Sequence, residues 1–178
     1  MSGKEQKTII ELTPQTHVRA TQGDSIFFRI PEGDLYPSGL KRKLRLVRYN
    51  QYKEDLYNIA FSKGFKLPNQ GLSVKFCIPM PKSWKPWQKE LMNGKLHQSK
   101  PDIDNLMKAL FDSLLSEDKR IGHINEISKI WVNKEEGWIE LICGEAKFEE
   151  TVLPRSMKSL LVVMKNKKLQ KQVSKKAS

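Results

Sequence analysis

The stretch KPDIDNLMKALFDSLLSEDKRI, residues 100–121, places Asp102, Asp104, Asp112 and Asp118 in a chain otherwise rich in lysine and arginine. Its apolar residues Ile103, Leu106, Met107, Leu110, Phe111, Leu114 and Leu115 recur every three or four positions, which predicts an amphipathic helix. Pro101 sets Asp102 and Asp104 where a loop becomes the first helical turn. One aspartate there serves as a cap, worth about 1 kcal/mol. A second, two residues away in an extended approach, points the same way, so both carboxylates converge on one locus. Such a pair repels itself unless a cation joins it. Hard oxygen ligands suit Mg²⁺ or Mn²⁺, which complete their octahedron with water and substrate phosphate.

Lys108, four residues after Asp104, reaches the same locus from the polar side of the helix. Two roles are open to it. It can hold a phosphate oxygen or stabilise a transition state, or it can form a surface ion pair worth a few tenths of a kcal/mol. Asp118, with Glu117 beside it in the loop after the helix, can return to the metal, whereas Asp112 reads as structural.

Upstream, GLSVKFCIPMP alternates Leu72, Val74, Phe76 and Ile78 with smaller or polar residues and reads as a strand stopped by prolines. An irregular basic segment, residues 81–102, follows with Trp84 and Trp87 among five lysines. Further back, DSIFFRIPEGD reads as the first core strand, and a basic loop leads into a helix over about 51–62, ended near Gly64. Downstream, a strand over 126–133, a turn at 135–137 and a strand over 138–143 read as a hairpin. These elements predict an α+β fold: a single two-layer domain whose mixed β-sheet carries helices on one face. The expected division is an arm or extra strand over 1–22, the domain over 23–153, and a short helix with a basic tail over 154–178.

The formal charge is +12, and it remains +6 without the six lysines between Lys165 and Lys176. A field of that sign concentrates polyanions, so nucleic acid is the leading partner. Cys77 and Cys143 stand apart without a CxxC pair and read as reduced core residues. His17, His97 and His123 are scattered, which argues against an HNH site. The opening MSGKEQKTIIELT lacks a signal-peptide core, and the longest apolar run, LLVVM at 160–164, is too short to span a bilayer. A cytoplasmic protein without membrane contact is expected.

Lys100, Pro101, Asp102, Ile103, Asp104, Asn105 and Leu106, then Lys108, Ala109, Asp112 and Leu114, and finally the acidic pair Glu117 and Asp118, resemble the RusA family of Holliday junction resolvases. The PMPKSW strand end, the basic loop and the later strand with Lys129 and Trp131 are similar in order, so the resemblance spans about residues 24–143. It implies a homodimeric, Mg²⁺-dependent endonuclease of bacterial or phage origin that resolves four-way junctions by paired symmetric nicks, in recombination, repair or phage DNA processing. Mn²⁺ is the expected substitute ion. Carried over, Asp102, Asp104 and Asp118 are the essential carboxylates and Lys108 the essential lysine. Glu117 replaces the usual aspartate and is an alternative metal ligand.

Lys41, Arg42, Lys43, Lys82, Lys85, Lys89 and Lys100 are candidate phosphate contacts, with Lys129 a further one. Trp84 and Trp87 either stack on unpaired bases or anchor the loop in the core. Two rivals stand. One is a non-catalytic basic nucleic-acid-binding protein whose aspartates only cap a helix. The other is a PD-(D/E)xK nuclease formed from Pro101, Asp102 and the EDK at 117–119, but that fold puts its acids on adjacent strands rather than at both ends of a helix.

Overall fold

The computed structural model describes residues 6–115 and 121–148. The chain divides after Lys147, and every element named below lies in the first unit. Four strands, β1 (Gln6–Ile10), β2 (Leu72–Pro79), β3 (Ile124–Val132) and β4 (Trp138–Cys143), form one mixed sheet in the order β1-β4-β2-β3. β4 is antiparallel to both β1 and β2, whereas β2 and β3 run parallel. The parallel pair needs a crossover, and α4 (Ile103–Leu114) lies within it. The fold is α+β, as expected.

Register places Val74, Phe76 and Ile78 on one face with Ile139 and Leu141 of β4 and Ile10 of β1. The helices cover that face. α2 (Pro37–Ser62) packs Leu46, Tyr49, Tyr52, Leu56 and Ala60 into the core, and α4 adds Leu106, Met107, Ala109 and Leu110. Burying a side chain such as Leu56 or Leu110 contributes roughly 1.5–3 kcal/mol. The opposite face carries Lys7, Lys75 and Glu140, with Lys7 Nζ 2.8 Å from Glu140.

Four elements differ from the sequence reading, and one that it left open is settled. The opening segment, for which strand and arm were both open, forms edge strand β1. Residues 24–34 are not a core strand: α1 (Ser25–Arg29) follows a 3₁₀ turn at Gln22–Asp24, and Ile26 and Phe28 remain exposed. The β propensity of Ile-Phe-Phe loses to a local tie, in which the Thr21 amide donates to Asp24 Oδ2 at 2.6 Å and Arg42 clasps the same carboxylate. The expected basic loop before residue 51 is the first half of α2. Pro37 opens it, and lysine and arginine are good helix formers that let a thin stripe through Leu46 and Tyr49 reach the core.

The expected hairpin is absent. β2 lies between β3 and β4, so the 133–137 connection passes over the end of β2. Gly137 makes this crossing feasible, since a Cβ there would collide with the Cys77 carbonyl and lie 2.9 Å from Pro79 Cδ. The segment expected to be irregular also holds α3 (Pro86–Met92), opened by Pro86 and by the Lys85 amide donating to Gln88 Oε1 at 2.9 Å. After it, residues 94–97 run antiparallel beside β3, with Trp131 N donating to Lys95 O at 2.9 Å and His97 N to Lys129 O at 2.8 Å.

Candidate active site

The strip at 94–97 leads through a turn, closed by a cis Lys100–Pro101 bond, into α4. Asp102 occupies the N-cap position with extended backbone, φ −73° and ψ 142°, and its carbonyl accepts the Leu106 amide at 3.2 Å. Its side chain makes no cap hydrogen bond. Capping therefore does not account for this carboxylate, and burial does not either, because the residue is exposed. Asp104, in the first turn, accepts a hydrogen bond from Lys108 Nζ at 3.1 Å, and both side chains are more than half exposed. That bond holds the Asp104 carboxyl below the usual carboxylate range.

Asp102 and Asp104 line one open cleft of about 680 Å³ with Ser99, Lys100 and, from β3, Lys129. Lys129 pairs in register with Phe76 and therefore rises from the helix-covered face of the sheet. It is buried, and its Nζ donates to the carbonyls of Ser99, at 2.7 Å, and Pro101. Burial lowers its pKa, partly offset by the Asp102 charge. Beside it, the buried His97 ring lies 3.7 Å from the Trp131 ring, and burial pushes its pKa down, which favours the neutral imidazole. His97 is a packed core histidine that shapes the cleft wall.

Asp112 sits elsewhere. Tyr49 Oη donates to it at 3.1 Å and His17 Nε2 lies 3.2 Å away, so it ties α4 to α2 and to the segment after β1. Glu117 and Asp118 lie outside the described residues. Among the described residues, no third Asp, Glu, His or Cys joins Asp102 and Asp104 in a metal-binding group. Two exposed carboxylates on one cleft nevertheless fit a small oxygen-seeking dication, which takes one or two protein carboxylates and otherwise water and phosphate. Because α4 follows directly on Asp102, the adjacent-strand arrangement of a PD-(D/E)xK site does not apply.

The candidate DNA contacts divide. Lys41, Lys82, Lys85 and Lys100 are exposed, whereas Lys89 is half-buried. Arg42 is engaged: Nε and Nη2 bind Asp24 at 2.9 and 2.8 Å, and Nη2 also reaches the Arg19 carbonyl. Lys43 lies 3.6 Å from Glu32 with its side chain only 14% exposed. Neither is an open phosphate contact. Arg45 and Arg48 are exposed and share a groove with Lys41. Trp84 anchors its loop, its ring 5.0 Å from Trp131, whereas Trp87 is 61% exposed on α3. The role of Lys129 was partly legible: in ISKIWV it alternates with Ile127 and Trp131, a lysine on a strand's inward face.

Residues 40–126 match the family model of Endodeoxyribonuclease RusA. The chain carries a RusA-family domain. RusA-family proteins are endodeoxyribonucleases, hydrolases that resolve four-way DNA junctions and are generally dependent on divalent metal. The match runs from α2 into β3, so it contains Asp102, Asp104, Lys108 and Asp118 but stops short of Lys129 and β4. Comparison with curated proteins gives no match. No helix among the described residues is long and apolar enough to cross a membrane.

Proposed function

We propose that this chain is a Mg²⁺-dependent endonuclease that, as a homodimer, cuts four-way DNA junctions by paired nicks in recombination, repair or phage DNA processing in the cytoplasm. Asp102, Asp104 and Asp118 are its metal ligands, with Glu117 the alternative to Asp118, and Lys108 is its catalytic lysine. The observation that carries this reading is the Asp102 carboxylate, which occupies a capping position without capping and shares a cleft with Asp104, the hydrogen-bond partner of Lys108. A bound Mg²⁺ supplies Lewis-acid polarisation of the scissile phosphate and a water acidic enough to attack at neutral pH.

The chain's own residues do the rest. Asp102 and Asp104 present oxygens to the dication, and Lys108 offsets the Asp104 charge in its absence. Because the Lys108–Asp104 pair is solvent-exposed, it is weak. The ammonium is thus able to exchange Asp104 for a non-bridging phosphate oxygen as charge builds there. Lys100, on the cleft rim, holds a neighbouring phosphate, and exposed Trp87 offers a stacking face to an unpaired base.

The test compares a labelled four-way junction with matched linear duplex, with and without Mg²⁺, using the native protein and Asp104→Asn. Paired nicks in the junction alone are expected, with at least a 100-fold loss in the mutant and junction binding retained. Near-native cutting by Asp104→Asn removes the site assignment. Binding without cutting at any metal concentration leaves the non-catalytic reading.

A further inference from the structure

We propose that Lys129 is a positioning residue for the carboxylate pair: its ammonium, clamped on the Ser99 and Pro101 carbonyls, sets the spread of Asp102 and Asp104 and does not contact DNA. This rests on the site described above and deepens it. β3 is held on both sides, by β2 in parallel register and by the 94–97 strip, so the base of the Lys129 side chain is fixed. From there the ammonium reaches the two carbonyls that flank Lys100, one of them immediately before Asp102. A buried ammonium requires such acceptors, and the turn they belong to carries both carboxylates.

The geometry also separates Lys129 from its neighbour on the same cleft. Lys100 is exposed and makes no such clamp, so it is the phosphate contact, while Lys129 is the brace beneath the turn. A site of this kind functions when the groups that hold the ligands are themselves locked by packing and hydrogen bonds. Lysine suits the task because a compact ammonium meets two carbonyls at once, whereas the planar fork of arginine does not reproduce those bonds in the same space.

The experiment measures Mn²⁺ binding, by the electron paramagnetic resonance of the free ion, and junction binding in EDTA, for Lys129→Met and Lys129→Arg. Both variants are expected to bind Mn²⁺ at least tenfold more weakly while junction affinity stays within about twofold and its salt dependence is unchanged. Lys129→Arg binding Mn²⁺ like the native protein overturns the proposal, as does a loss of junction affinity in either variant. If neither variant folds, reductive methylation of the native protein decides. Lys129 is expected to resist modification with and without the junction, and modification that only the junction blocks makes it a DNA contact instead. Native protein that binds Mn²⁺ yet cuts nothing refutes the nuclease reading while leaving this measurement valid, and native protein that binds no Mn²⁺ refutes both.

Discussion

Arg42 and Asp24 show how one side chain can be removed from function by another. Asp24 is buried, and the paired Arg42 guanidinium holds its carboxyl well below the usual carboxylate range. A depressed carboxyl pKa stabilises the fold fully above the unfolded value of about 3.9 and loses that contribution as pH falls below it. Asp24→Asn is therefore expected to lower the urea midpoint at pH 7. Its gap from the native protein should close as pH falls below about 4, and a gap constant down to pH 2 rejects this account. Asp102 and Asp104 were legible in the sequence because i and i+2 carboxylates before a periodic helix leave a local trace. Arg42 was not, since its partner lies eighteen positions away and nothing in the basic run marks which cation is engaged.

At the scale of elements, α4 and β2 could be read directly, one from its three- and four-residue spacing and the other from strict alternation. The first half of α2 could not, because the exposed Leu44 and Val47 blur the spacing of the buried Leu46 and Tyr49 and only the tertiary face shows the stripe. The β3–β4 connection misled for a different reason. A short polar link between two strands has the same sequence signature whether the strands pair or straddle a third, and the choice is made by β2, which offers both of its edges. Gly137→Ala tests the crossing. With the Cys77 carbonyl and Pro79 in the way, it is expected to cost roughly 1–3 kcal/mol by urea denaturation. Gly33→Ala, which meets nothing within 4 Å, should be near neutral, and equal effects at the two sites contradict the crossing argument.

For the molecule as a whole, the +12 charge predicts that junction binding weakens steeply with salt, by about 10³–10⁵ between 50 and 200 mM if six to ten phosphates are contacted. Lys41→Gln or Arg45→Gln should each reduce the slope of log K against log salt by about one, because both are exposed. Arg42→Gln should leave the slope alone and lower stability instead, and a slope change there shows that the Asp24 pair opens on DNA. The order of the sheet has one more consequence, for the protein as it is made. Gln6 is paired with Cys143, so the first strand has no partner until translation has advanced well over a hundred codons. At about 5–20 residues per second, β1 waits roughly 7–27 s after its own synthesis. Through that interval β1 lacks its strand neighbour even after β2 and β3 have been made, and only emergence of β4 from the ribosome completes the sheet.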